Sequence, residues 1–251
     1  MRRTHMIPML LLWLAVVSSS PGAQAYIGLV SLAMLSSSSA VQAKEPVTLE
    51  SVLQTMDATA AHFQTAEADF EWDQYQKVVD EHDLQKGTVY YRRSGQEIEM
   101  LADIKEPDRK YVLYKNGKLQ VYQPKIEQVI EYSTGANHGD IESWLVLGFG
   151  GSGQDLKKSF DVSFEGEETI DNFATAKLHL IPKSEKVRNY FSEAFLWIDL
   201  KRGISVEQKF MQSQGDSRTA RYSAIKLNGK INNDVFRLKT TGKTKFVSPG
   251  G

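Results

Sequence analysis

The chain of 251 residues contains no cysteine. In an exported protein that absence excludes disulfides and leaves no thiol for lipid attachment, so the chain is not expected to be a lipoprotein itself. A positive surplus is also missing. Lys+Arg is 30 against 31 Asp+Glu, a formal charge of −1. A nucleic-acid partner demands a basic surface and is therefore not expected. Metal-ligand spacing is missing too: beyond the N-terminal segment the histidines are His62, His82, His138 and His179, and no two lie at such a spacing. Asp80-Glu81-His82-Asp83 reads as a solvated loop. No repeat of solenoid length occurs, and no low-complexity tract follows Ser39.

The N-terminus carries targeting signals. Met1-Arg2-Arg3 is a basic start, Ile7 to Val17 an apolar run, and Ala23-Gln24-Ala25 a small-x-small cleavage pattern. A second apolar run, Tyr26 to Leu35, leads to a further pattern at Val41-Gln42-Ala43. Both runs are too short and interrupted to cross a membrane as two helices. Residues 1–43 are expected to be a secretory signal peptide, with cleavage after Ala25 or an uncleaved anchor as alternatives. Removing 1–43 takes away two arginines and no acid, leaving 28 Lys+Arg against 31 Asp+Glu, or −3. The remaining 44–251, about 208 residues, suit a single domain.

Short strands dominate that domain. From Gly87 to Tyr132, large apolar and aromatic residues alternate with polar ones: Val89, Tyr91 and Arg93 on one phase, then Ile98 and Met100. Ser94-Gly95, Glu106-Pro107-Asp108 and Asn116-Gly117 are turn signals, so the strands are antiparallel hairpins. Further strands are expected at Ala68 to Val79, Phe160-Val162-Phe164, Ala176-Leu178-Leu180, Tyr190 to Ile198, Val206 to Phe210, Ala220 to Ile225 and Val235 to Leu238. Asp80 to Lys86 reads as a polar hairpin loop. Helical spacing is confined to 48–67, capped by Thr48 and striped by Leu53, Met56 and Phe63, and to a short segment after Asp140 carrying Ile141, Trp144, Leu145 and Leu147. The fold class is mainly β (α+β), with about eleven strands and few short helices. One sheet face is apolar, and little helix is available to cover it, so an apolar ligand is a candidate occupant.

Enzymatic constellations are weak. Gly148 to Gly153 matches G-x-G-x-x-G, but a dinucleotide site needs a strand before it and a long helix after it. The run reads as a hinge. Ser152 lacks the glycine that a nucleophile elbow requires two residues on. Glu97 and Glu99 read as a solvated sheet face. No nucleophile, base and orienting group assemble, so neither catalysis nor a cofactor is expected. Arg93 stands out, because a charge on an apolar strand face is costly unless paired. It reads either as a strand-end arginine reaching for water or as a latch bonded to carbonyls of the covering helices.

Gly87-Thr88-Val89-Tyr90-Tyr91-Arg92-Arg93, Asn116 through Pro124, Gly215-Asp216-Ser217-Arg218 and Val235-Phe236-Arg237-Leu238 together resemble the periplasmic outer-membrane lipoprotein carriers of the LolA type. Arg93 takes the family's arginine position, and Ser94 replaces the proline that follows it there. The resemblance implies an unclosed antiparallel half-barrel with a helical lid, monomeric and resident in the periplasm. It implies acylated lipoproteins as cargo, an inner-membrane ABC-type release complex as donor and an outer-membrane acceptor. On that reading Trp72, Tyr91, Met100, Leu113, Val121, Trp197 and Phe210, which are large, apolar and on strands, line the acyl-chain cavity. Leu53, Met56, Phe63, Trp144 and Leu145 belong to the lid, and Arg93 is the latch. The alternatives are a related half-barrel that binds glycolipid or senses lipoproteins, and an exported enzyme acting on lipid or cell wall.

Overall fold

In the computed structural model, residues 46–95, 97–133, 147, 149–212 and 214–248 are described. The signal segment 1–43 and the lid residues Trp144 and Leu145 lie outside them. Helix α1 (Leu49–His62) is followed by six strands: β1 (Thr65–Gln76), β2 (Glu81–Ser94), β3 (Glu97–Glu106), β4 (Lys110–Lys115), β5 (Lys118–Gln123) and β6 (Gln128–Ser133). A short helix α2 (Gly153–Ser159) leads to β7 (Phe160–Ile170) and β8 (Phe173–Pro182). One turn of helix, α3 (Glu185–Arg188), precedes β9 (Glu193–Asp199), β10 (Ser205–Met211) and β11 (Ser217–Leu227), and β12 (Lys245–Val247) ends the sheet.

The strands form one sheet in the order β12-β6-β5-β4-β3-β2-β1-β11-β10-β9-β8-β7. Two antiparallel meanders are joined along β1 and β11, from Ala66 opposite Leu227 to Tyr75 opposite Ser217. The sheet is unclosed, matching the half-barrel expectation, and holds twelve strands. The additional one, β12, runs parallel to β6. Asn116 and Gly117 both take positive φ (51° and 67°), the geometry of a two-residue hairpin turn whose twist matches the flanking strands. Register shifts in β1–β11, β2–β3, β7–β8 and β9–β10 mark bulges, which bend strands and increase twist.

Helix α1 begins at a capping box. The Thr48 hydroxyl accepts from the Ser51 N–H (3.2 Å), and the Ser51 hydroxyl accepts from the Thr48 N–H (3.0 Å). Such a cap contributes about 1 kcal/mol. The helix stops at His62 rather than running on to residue 67, because β1 joins the sheet from Thr65 and the Asn228 side chain takes up the Gln64 N–H (2.8 Å). Val52, Leu53 and Met56 bury against Leu178, Leu180 and Leu196. Each buried side chain contributes about 1.5–3 kcal/mol. The sheet face under α1 is the inner face.

Two further expectations are corrected. Residues 81–86 belong to β2, paired with β1 as far as Gln76–Glu81, and the turn is confined to 77–80. The segment around Val235 forms a 3-10 turn (Asn233–Phe236) capped by Asn232, which drives Phe236 onto the outer face against Leu101 and Leu113.

Candidate ligand-binding face

Opposed residues of antiparallel strands share a face. One row across the sheet is Ala66, Tyr91, Met100, Tyr114 and Leu119. A second is Trp72 opposite Ala220, then Gln208 and Leu196. Both face inward, and most of these residues join buried clusters that also contain Phe63 or α1. Tyr91, Met100 and Trp72 therefore lie on the inner face. Val121 does too, opposite Val112, and Phe210 packs there against Ala194 and the Phe191 ring.

Leu113 and Trp197 do not. Leu113 pairs with Leu101 and packs under Phe236 on the outer face. Trp197 pairs with Lys177, whose ammonium sits over its ring at 5.2 Å, and its indole N–H donates to Glu168 (2.6 Å). Leu113 is covered by Phe236 and Trp197 by the Lys177 and Glu168 side chains, so the apolar residues of these strands do not alternate cleanly with polar ones. Glu99 is likewise corrected. It is buried rather than solvated, pairing with Arg92 and with Lys115 (3.2 Å).

The inner face is covered by its own protein. Leu53 and Met56 are buried among the β8–β9 leucines, and Phe63 enters the Tyr91–Met100 cluster. Phe149, at the end of the expected lid segment 141–149 but not among its named residues, is 1% exposed and sets its ring edge-on to Tyr91 (5.3 Å) and Tyr222 (5.2 Å). The Gln208 amide donates to the Leu147 carbonyl and holds this segment down. The glycine run beside it serves close approach. A Cβ on Gly150 would come within 2.4 Å of the Phe63 ring, and one on Gly153 within 2.6 Å of Leu53 Cβ.

Arg93 joins the covering segments. Its Nε donates to the Phe63 carbonyl (3.3 Å), just beyond α1, and its Nη2 donates to the Gly150 carbonyl (3.1 Å). The guanidinium also lies 5.8 Å from the Phe63 ring centre. Close by, Arg92, Arg93, Glu99, Lys115, Phe236 and Arg237 line a cleft of about 550 Å³.

The far end of the inner face is polar. Asp83 is 2% exposed; one of its oxygens accepts from the Gln85 amide (3.0 Å) and the other has no partner. Trp72 stacks on Phe70 (4.2 Å), and its buried Nε1–H lies near the Tyr222 hydroxyl but outside hydrogen-bond geometry. The Tyr222 hydroxyl instead makes a long bond to Gln208 (3.4 Å). Burial pushes Tyr222 up to about 12, with Arg218 and Trp72 offsetting part of the rise. Burial also pushes Tyr91 well above the ordinary tyrosine range. Asp83 and Arg218 escaped notice as site residues in the sequence. The alternation Arg218-Ala220-Tyr222 was the available signal for Arg218.

Among the described residues no cluster of His, Cys, Asp or Glu could hold a metal ion, and no helix is long and apolar enough to cross a membrane. The molecule is of the class of lidded, unclosed half-barrels with an apolar inner face. Residues 61–239 match the family described as outer membrane lipoprotein carrier protein LolA, and the chain belongs to that family. A comparison with curated proteins finds no match. Among solved structures the chain is similar to an uncharacterized conserved protein from Thermus thermophilus, at 11% identity, covering 79% of this chain and 98% of that one, with a TM-score of 0.51. It is also similar to the lipoprotein LppX of Mycobacterium tuberculosis (11% identity, 73% and 97% covered, TM-score 0.43). A third is the LolA superfamily protein NE2245 from Nitrosomonas europaea (16%, 76% and 98%, TM-score 0.37). At such identities the likeness concerns the fold alone.

Proposed function

We propose that the chain is a periplasmic carrier that shelters lipoprotein acyl chains against its inner face and ferries them from the inner to the outer membrane. The observation that carries this is the apolar inner face stoppered by side chains of the same protein. Phe63 and Phe149 fill it, and both neighbouring segments are tied to the sheet rim by one side chain, Arg93. On this reading the lid comprises α1 with Leu53, Met56 and Phe63, the Phe149–Gly150 segment, and Trp144 and Leu145 before it. Acyl chains displace Phe149 and lie against Trp72, Tyr91, Met100, Val121 and Phe210. The partners are an inner-membrane ABC-type release complex that loads the carrier and an outer-membrane acceptor that empties it. The function is binding, not catalysis, and needs no cofactor.

The energetics suit a carrier. Each CH2 removed from water contributes about 0.8 kcal/mol, so a chain of about 16 carbons gains on the order of 12 kcal/mol. A bilayer offers nearly the same. The carrier need only keep chains from water between two membranes and then release them. A face that refills with its own aromatic rings meets that requirement, because Phe63 and Phe149 then cover the apolar residues beneath them.

Native mass spectrometry of protein purified from the periplasm tests the assignment. Co-purifying acylated protein is the expected result. Free glycolipid would favour a lipid-binding member of the fold, and ligand-free protein that fails to take up lipoprotein would overturn the carrier.

A further inference from the structure

One row of the inner face crosses β2, β1, β11 and β10 as Asp83, Gln74, Arg218 and Phe210. Polar groups gather here. The opposite end, where Ala66 faces Tyr91, is hydrocarbon and aromatic. Gln74 and Ala66 stand roughly 26 Å apart along β1. The inner face is therefore amphipathic along the strand direction.

Arg218 is the cation of the polar row, and it is half-buried. Its guanidinium lies 4.3 Å from the centre of the Trp72 ring. Among the described residues it donates no hydrogen bond and forms no ion pair. The charges that reach it are those of Tyr222 and Tyr91, both neutral at neutral pH, and burial pushes its pKa down. A guanidinium carries five N–H donors in a planar fork, and the ring face beneath it accepts none of them as a hydrogen bond of ordinary strength. The Trp72 Nε1–H beside it is also buried without an acceptor. Asp83 does not supply the missing anion. Two strand spacings, roughly 10 Å, separate it from Arg218. On its own side Asp83 acts on the half-buried Lys110, offsetting part of the fall that burial causes there. A half-exposed guanidinium and a buried indole N–H without an acceptor thus sit at one end of a face whose other end is suited to hydrocarbon.

We propose that Arg218, together with the Trp72 indole N–H, binds the anionic head of a free acyl lipid, a carboxylate or a phosphate, as distinct from a lipoprotein, whose ester- and amide-linked chains carry no anion. The proposal rests on the inner face being an acyl-chain site, and it adds the ligand's charge and direction. The head lies at Arg218 and the chains run toward Tyr91, Met100 and the Arg93 rim. A guanidinium fork takes two oxygens of one oxyanion at once, which a neutral ester cannot offer.

Calorimetric titration of the purified, delipidated protein tests this with palmitate, methyl palmitate and 1-palmitoyl lysophosphatidate below their micelle concentrations. Palmitate is expected to bind at least about tenfold more tightly than its methyl ester, as one charge-assisted bidentate contact implies. In Arg218→Gln that preference should fall below about twofold, with methyl palmitate bound as before. Arg218→Lys should keep part of the preference, having charge without the fork. Trp72→Phe keeps an aromatic ring but removes the N–H and part of the apolar wall, so it should weaken palmitate binding more than ester binding. It serves alone if Arg218→Gln fails to fold by circular dichroism. Tighter binding of lysophosphatidate than of palmitate assigns a phosphate head, and the reverse a carboxylate. Equal affinity of the unmutated protein for palmitate and its ester, or a preference that survives in Arg218→Gln, overturns the anionic head and leaves the acyl site standing. If no acyl compound binds, the acyl-site reading itself falls, and the proposal with it.

Discussion

Arg93 and Tyr222 show how single side chains divide the work of the inner face. Arg93 points two N–H groups at carbonyls from separate covering segments. Hydrogen bonds from a charged donor contribute about 1.5–3 kcal/mol each when shielded, and less at this exposed rim. Their sum biases the face toward its self-filled state. Arg93→Leu is therefore expected to take up acylated protein as well as the unmutated chain but to pass it to acceptor membranes about tenfold more slowly, a factor equivalent to about 1.4 kcal/mol. Normal transfer by Arg93→Leu, measured from preloaded protein, would leave Arg93 as an ordinary strand-end residue. Tyr222 makes a different prediction. Its folded pKa of about 12 lies above the ordinary 10, so its neutral form is the one the fold favours. Its contribution is complete below pH 10 and is lost as pH rises from 10 through 12. The loss amounts to about 2–3 kcal/mol. Urea unfolding at pH 9 and pH 11 should show about half of that fall, about 1.3 kcal/mol, and Tyr222→Phe should flatten it. An equal alkaline loss in Tyr222→Phe would assign the effect to other groups, Tyr91 first.

At the scale of elements, legibility depended on whether a strand was covered on one side or two. In β2 the inward phase Val89-Tyr91-Arg93 was readable, because Thr88 and Arg92 on the other phase are polar. In β4, Tyr111 and Leu113 face outward while Val112 and Tyr114 face inward. Four apolar residues in succession give no phase, and the 3-10 turn bearing Phe236 that covers the outer pair comes from more than a hundred residues later. β9 posed the same difficulty, with Ala194 through Ile198 apolar throughout and Trp197 turned outward. The strand expected at Val235 to Leu238 failed because its apolar residues are shared among a helical turn and its flanks. The glycine run was legible as glycine but not for its cause. Gly153 sits where α2 meets α1, and an added Cβ would lie 2.6–2.9 Å from Leu53 atoms. Gly153→Ala should destabilise the protein by about 1–3 kcal/mol, while Gly229→Ala, with nothing within 4 Å, should not. Comparable melting temperatures for the two variants would show that the α1–α2 contact yields easily.

Taken as a whole, the molecule is a continuous sheet whose inner face is covered by α1 and the Phe149 segment. The sheet is paired along its entire width from β12 to β7. The cover is held by side chains: Thr59 to the Arg202 carbonyl (2.6 Å), Gln208 to the Leu147 carbonyl, and Arg93 to Phe63 and Gly150. Acyl chains can replace the apolar contacts of α1 and Phe149 but not the backbone hydrogen bonds of a strand pair, so ligand entry should move α1 and the Phe149 segment and leave the sheet intact. The absence of cysteine makes this measurable, because an introduced pair supplies the only thiols. Thr59→Cys on α1 combined with Lys201→Cys beside Arg202 places a thiol on each side of the α1–sheet contact. A short bismaleimide should join them readily in the empty protein and several-fold more slowly once an acyl ligand is loaded. A second pair within the sheet, Thr219→Cys with Lys209→Cys, sits at directly opposed positions of β10 and β11 and should link equally in both states. If the α1 pair also links equally when loading has been verified by mass spectrometry, α1 is a fixed wall. Entry would then have to occur through the Phe149 segment alone.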